Sequence, residues 1–162
     1  MISSLCRKKS KKSAITHIEV TMEIKVYDKL PTYAAEIRVK VFVDEQGFSK
    51  DLEFDEFEEK ATHIVGFCNG DAAATSRFFY TENHNAYLIG RIAVLKEYRG
   101  KGLGGKIVTA AEEEIKKLGG TKTVIHAQLR VKAFYESLGY SAFGEIDLEE
   151  GVEHIMMQKN LS

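Results

Sequence analysis

Cysteine is scarce in this chain, with only Cys6 and Cys68 among 162 residues. They lie far apart, one in a polar N-terminal stretch and the other in an apolar run, so they supply no disulfide framework. A reducing, cytoplasmic setting is the expectation. Long hydrophobic runs are missing too: none approaches the roughly 18 apolar residues a membrane span needs, and no apolar signal-peptide core follows the N-terminal basic residues. Beyond Met22 the chain lacks an excess of basic charge, so it offers no basic face for a nucleic-acid backbone. No histidine or cysteine pair has the C-x-x-C or H-E-x-x-H spacing of a metal site, and no metal is expected. Internal repeats and low-complexity segments are absent as well.

What is present describes one globular domain. Hydrophobic residues make up 44% and charged residues 29% of the chain, enough to bury a real core. The net charge of −1 hides an uneven distribution. Arg7, Lys8, Lys9, Lys11 and Lys12 precede Met22 with Glu19 as the only acid among them. Residues 1–22 therefore read as a disordered basic extension before an internal start near Met22, as a nuclear localisation patch, or as a mitochondrial transit segment. The domain proper is expected over residues 23–162.

After Pro31-Thr32, Tyr33, Ile37 and Val41 recur at helical spacing and predict a helix from Thr32 to Asp44. Glu45 to Glu59 is rich in acids but threaded with Phe48, Leu52, Phe54 and Phe57, and it reads as a structured loop or short helical turn. Three β-rich runs follow, His63–Cys68, Ala73–Tyr80 and Ala86–Leu95. Asn69-Gly70-Asp71 and Thr81–Asn85 between them are turn compositions, so an antiparallel meander is expected. Leu103, Ile107, Ala111, Ile115 and Leu118 keep helical period up to Gly119-Gly120, and Thr123–Ala127 reads as a buried strand. A crossover helix between strands implies parallel pairing. A short helix holding Phe134 and Tyr135 comes next, then two strands around Glu149-Glu150-Gly151. The fold class is α/β (α+β): a mixed, mostly antiparallel sheet with helices on both faces. A sheet edge at Val152–Met157 would make a homodimer possible.

The segment Tyr98–Lys106 stands between a strand and a long helix, where unpaired N–H groups, the helix dipole and glycines suit a phosphate. Gly100, Gly102 and Gly105 fit G-x-G-x-x-G, yet Lys96–Arg99 intervene after the strand and the next strand ends at His126-Ala127 without an acid. Gly100 with Gly105-Lys106 misses a P-loop by one residue only, Ile107 standing where its Mg²⁺-binding Ser or Thr should be. The glycines can also simply shape a turn. A fourth pattern, Q/R-x-x-G-x-G/A, is filled by Arg99, Gly102 and Gly104. In this form the segment resembles the acetyl-CoA loop of the GNAT family of N-acyltransferases. Arg91-Ile92-Ala93-Val94 is similar to the family's splayed fourth strand, and Ala133–Tyr140 to its F-Y-x-x-x-G-F/Y signature. Ile37 through Gln46, Ala61-Thr62-His63 and Glu149–His154 narrow the likeness to the ElaA-like and YjcF-like branch. Where many members carry an Asn that touches the cofactor, this chain has Gln128.

The resemblance implies acetyl-CoA as acyl donor. It implies pyrophosphate contacts along Arg99, Gly100, Lys101, Gly102, Leu103, Gly104 and Gly105, and pantetheine contacts on the backbone of Ile92, Ala93 and Val94. Tyr135 matches the tyrosine that protonates the departing CoA sulfur. Transfer to an amine also needs a base, and Glu45, Glu53, His63, His126 and His154 are the candidates; His126, at the end of the parallel strand, is topologically near the reaction centre. Arg77 and Arg91, in β runs, would suit an anionic acceptor such as an amino sugar phosphate. The acids from Glu53 to Glu59 would suit a cationic amine instead. The expected partner is a small-molecule amine. Glucosamine phosphate is one specific acceptor; a CoA-binding sensor with little activity is the competing function.

Overall fold

A computed structural model of the chain describes residues 20–162. The basic extension expected over residues 1–22 lies outside the described residues up to position 19. Seven strands form one sheet: β1 (Met22–Tyr27), β2 (Thr62–Cys68), β3 (Asp71–Thr81), β4 (Ala86–Val94), β5 (Lys122–Gln128), β6 (Ser141–Glu149) and β7 (Val152–Asn160). Their order is β1-β2-β3-β4-β5-β7-β6. All neighbours are antiparallel except β4 and β5. The helices are α1 (Thr32–Arg38), α2 (Lys50–Glu53), α3 (Leu103–Lys117) and α4 (Lys132–Ser137).

Local chemistry explains most of this order. Asn69 and Gly70 both take positive φ, 51° and 85°, the conformation a two-residue hairpin turn requires, so β2 folds straight back as β3. The helical period of Leu103–Ile115 makes α3 the crossover from β4 to β5, and a crossover of that length returns the chain parallel. Alternation in β2 then divides the core. Ile64 faces α3, with Phe78 and Ile89 beside it and Ile107, Ala111 and Ile115 opposite. Val65 faces the other way, against Ala34 of α1, and Ile37 and Val41 pack on Ala93 and Leu95. Ile64, Ile89, Ile107 and Ile115 are wholly enclosed, each contributing roughly 1.5–3 kcal/mol of burial.

Two expectations need correction, and one strand is an addition. The helix begun at Thr32 does not run on as α-helix to Asp44: α1 ends at Arg38 and a π-helical segment, Val39–Glu45, follows. The wider turn re-phases the chain, keeping Val41 buried while Gln46 reaches the cleft described below. β1, which sequence pattern did not single out, pairs along all of β2's outer edge with mostly exposed side chains. Val152–Met157 is not a sheet edge, because β7 lies between β5 and β6. The open edges are β1 and β6, so the stated basis for a homodimer does not stand.

Candidate active site

β4 and β5 pair at only two positions, Tyr87 with Thr123 and Leu88 with Val124. Beyond these they part, and a cleft of about 1010 Å³ opens between Ile89–Val94 on one side and Ile125, His126 and Gln128 on the other. The parting has a local cause. The register of β3 with β4 jumps from Thr75–Ala93 to Arg77–Gly90, so Arg91 and Ile92 bulge out opposite Ser76. Arg91 takes φ 50°, a left-handed conformation that costs a non-glycine residue on the order of 1–2 kcal/mol. Its guanidinium holds it there, donating to the Glu53 carbonyl at 3.2 Å and lying 3.2 and 3.3 Å from the carboxylates of Glu53 and Asp55. Ala93 and Val94 pair again with β3 beyond the bulge, while the β5-facing edge of the stretch Ile92–Val94, expected to receive a pantetheine arm, has no strand partner.

The glycine loop meets the same cleft. Gly100 and Gly102 both have φ 76° and open space where a Cβ would be, so they turn the chain sharply into α3. Its first helical bond runs from the Lys106 N–H to the Gly102 carbonyl, and no side chain caps the helix. The N–H groups of Leu103, Gly104 and Gly105 precede that bond and have no intrahelical acceptor. Together with the helix dipole they form an anion cradle. Gly104 has another role, since a Cβ there would stand 3.2 Å from the Phe134 ring. Lys101 lies over Tyr98, 5.7 Å from its ring centre. The Arg99 guanidinium turns back instead, bonding both Glu45 oxygens at 2.9 Å and the Val94 carbonyl at 2.9 Å. The cradle is therefore made by backbone, and Glu45 is engaged by Arg99.

Tyr135 of α4 enters the cleft from the β5 side, 8% exposed. Burial pushes its phenol up to about 12, so it remains a proton donor at neutral pH. Gln128 donates to the Gln46 side chain at 2.8 Å and accepts from Arg130 at 2.8 Å, bridging the two walls.

The acidic loop folds over the β3–β4 end and encloses a cluster no linear pattern displays. Arg38, 1% exposed, bonds Glu53 at 2.7 Å and Glu58 at 2.6 Å. Arg77, 3% exposed, grips both Asp55 oxygens at 2.6 Å and Glu58 at 2.7 Å. With Arg91 these make three guanidiniums against three carboxylates, a neutral set. Desolvation pushes the Asp55 carboxyl up, but the Arg77 hydrogen bond, the charges of Arg77 and Arg91 and the Phe57 N–H together outweigh it and hold the carboxyl below the usual range. His63 sits behind the cluster, 1% exposed, and burial lowers it below the usual imidazole value. This geometry corrects two expectations. Arg77 and Arg91 do not present unpaired charge to an acceptor, and the Glu53 carboxylate, locked between Arg38 and Arg91, is not placed to take a proton from one.

On the β5 side of the same cleft His126, Glu149 and His154 converge from β5, β6 and β7. His126 and His154 stack with ring centres 4.6 Å apart. His126 lies 3.2 Å from Glu149 and 2.8 Å from Asp147. Glu149 first, then Asp147, holds it above its ordinary value against the opposing effect of burial, and Glu149 is lowered in turn. The sequence marks Glu149 only as a turn residue and carries no signal for Asp147. Strand alternation alone does not place them here, because a bulge between Phe143 and Asp147 shifts the β6 register.

A parted β4–β5 pair, a backbone anion cradle at a helix start and a buried tyrosine between them define an acyl-CoA N-acyltransferase. Comparison with known proteins agrees. The Acetyltransferase (GNAT) domain family matches residues 30–161. The uncharacterized protein YyaT of Bacillus subtilis (strain 168) is 38% identical over 80% of this chain and 88% of its own. The uncharacterized N-acetyltransferase YjcF of the same organism is 31% identical over 76% and 88%. The crystal structure of Escherichia coli ElaA superposes with a TM-score of 0.75 at 25% identity, covering 86% of this chain and 99% of that one. The chain belongs to the GNAT family and is an acyl-CoA-dependent N-acetyltransferase.

Proposed function

We propose that this protein moves an acetyl group from acetyl-CoA directly to the primary amine of a small, neutral or cationic molecule. The parting of β4 from β5 beside the α3 cradle carries the reading. It lets one bound thioester reach from the pyrophosphate-binding N–H groups of Leu103–Gly105 to Tyr135. A cleft-facing N–H group of the Ile92–Val94 stretch polarises the thioester carbonyl. The Tyr135 hydroxyl gives its proton to the departing thiolate. No cysteine or serine is among the described residues lining the cleft, which supports attack by the amine itself over an acyl-enzyme.

Electrostatics favour the class of acceptor. The cluster arginines are already matched by carboxylates, whereas Glu149 and Glu150 stand exposed at the cleft. An ammonium gains there and a phosphate does not. With Glu45 and Glu53 engaged by arginines, the proton lost by the amine leaves at the His126 end, through water in the open cleft. The test is CoA release from acetyl-CoA, with product mass, across polyamines, lysine-like amines and amino sugar phosphates. Higher kcat/KM for the cationic amines is expected. Preference for glucosamine phosphate would overturn the acceptor class, and binding of acetyl-CoA without transfer to any amine would favour the sensor.

A further inference from the structure

We propose that His126, Glu149 and His154 form a binding site for one divalent transition metal of the zinc class at the acceptor end of the cleft. One ligand atom of each lies within 4.8 Å of the other two. Hydrogen bonding fixes which atoms these are. His154 Nδ1 stands 2.8 Å from the Val152 carbonyl, which can only accept, so that nitrogen carries the hydrogen and Nε2 is left with its lone pair. Nε2 faces Glu149 at 3.8 Å. His126 Nε2 stands 2.8 Å from an Asp147 oxygen, again an acceptor, so its hydrogen lies there. His126 Nδ1 faces Glu149 at 3.2 Å.

In the neutral form each imidazole thus turns a lone pair toward the Glu149 carboxylate, and a positive centre, a proton on His126 Nδ1 or a metal ion, completes the set. Each imidazole has its far nitrogen anchored on a carboxylate or carbonyl, the outer arrangement that orients metal-binding histidines. Around a tetrahedral zinc with bonds of about 2.0–2.1 Å the ligand atoms would be about 3.3 Å apart. Glu149 already stands 3.2 and 3.8 Å from the two nitrogens, so metal binding would need the two stacked imidazoles to tilt toward each other. Two nitrogens and one oxygen select zinc, nickel, copper or cobalt over magnesium or calcium, which take oxygen. The fourth position opens on the cleft and takes water. The linear spacing test is blind to this set, because its members come from three strands.

The proposal does not depend on acetyl transfer, and its test reads the metal; with metal bound, Glu149 is engaged and the attraction for an ammonium falls to Glu150. Full-length protein is stripped with a chelator, dialysed and titrated with Co²⁺, following visible absorption and equilibrium binding. One saturable site per chain is expected, with the intense visible bands of four-coordinate cobalt, displaced by Zn²⁺. His126→Gln and Glu149→Gln should each abolish those bands with circular dichroism unchanged. Asp147→Asn should weaken binding roughly 10- to 100-fold through the His126 anchor. Should His126→Gln fail to fold, Glu149→Gln, at the exposed end of β6, decides alone. No saturable Co²⁺ binding would overturn the site and leave a proton as the positive centre. Binding that survives both ligand substitutions would assign the metal elsewhere and overturn it equally.

Discussion

Tyr135 shows how one side chain can be legible in a sequence while its environment is not. Its place in a Phe-Tyr pair four residues before Gly139 marked it as the proton donor, but only the fold shows a nearly enclosed ring held up to about 12. Two outcomes follow for acetyl transfer. Tyr135→Phe should lower kcat by about 10²- to 10⁴-fold, the usual span for a positioned acid, with acetyl-CoA affinity unchanged; equal kcat in the variant would remove the role. Because the phenol keeps its proton until about 12, no alkaline fall in kcat between neutral pH and pH ~10 should belong to Tyr135. A fall in that window that disappears in Tyr135→Phe would contradict the burial argument. His126 was placed at the strand end by topology alone, whereas its partners Asp147 and Glu149 were hidden by a bulge that no local pattern announces.

Among the elements, α3 and its loop were the plainest, since apolar period, glycines and a preceding strand all agree. The functions of individual glycines were not. Gly102 is required by its positive φ and Gly104 by its contact with Phe134. Gly102→Ala should cost about 1 kcal/mol of stability and weaken CoA binding by tilting the cradle, measurable by calorimetric titration. The acidic loop was legible as structured but not as a lid on buried arginines, because the pairs join residues 15 to 22 positions apart. Removing one partner leaves a buried charge exposed to nothing, so Arg38→Met should lower unfolding free energy by roughly 3–5 kcal/mol. The solvent-facing Glu45–Arg99 pair should be worth no more than about 1 kcal/mol. Denaturant titration separates the two. His63 adds a pH dependence. Its folded value is lowered by burial, so the unfolded chain takes up a proton near pH ~6.5 that the folded chain refuses. That stability is complete above the unfolded value and is lost as pH falls toward the folded one. His126 is raised and acts in the opposite sense, so the measurement must be a difference. Against His63→Gln, the native protein should lose more stability between about pH 7.5 and 5.5. Parallel curves would refute the assignment.

At the scale of the molecule, the class of fold followed from the order of apolar periods, while the sheet order did not. Nothing in β7's own sequence says that it inserts between β5 and β6, yet that insertion brings His154 beside His126. It is a consequence of closing the sheet, with Met157 packed into the central core. β1 escaped notice because an edge strand with mostly exposed side chains has little alternation to read. The same architecture makes a prediction that no single residue does. Both halves of the cleft, the β4 bulge with the α3 cradle and the β5–α4 wall with Tyr135, exist only when β4 and β5 are paired at Tyr87 and Leu88 and divergent beyond. A ligand that spans them binds the folded chain and not the unfolded one, and raises apparent stability as the logarithm of its concentration over Kd. Acetyl-CoA or CoA at about 100 times Kd should therefore add roughly 2.7 kcal/mol. NAD and Mg-ATP should add nothing, because Ile107 offers no metal-binding hydroxyl and no acid ends β5. Thermal unfolding with the four ligands in parallel reads this directly. A rise with acetyl-CoA that Gly102→Ala diminishes would tie the effect to the cradle. Failure of both CoA species to stabilise the chain would mean that Leu103–Gly105 hold no pyrophosphate, and the proposed course of transfer would fall with them.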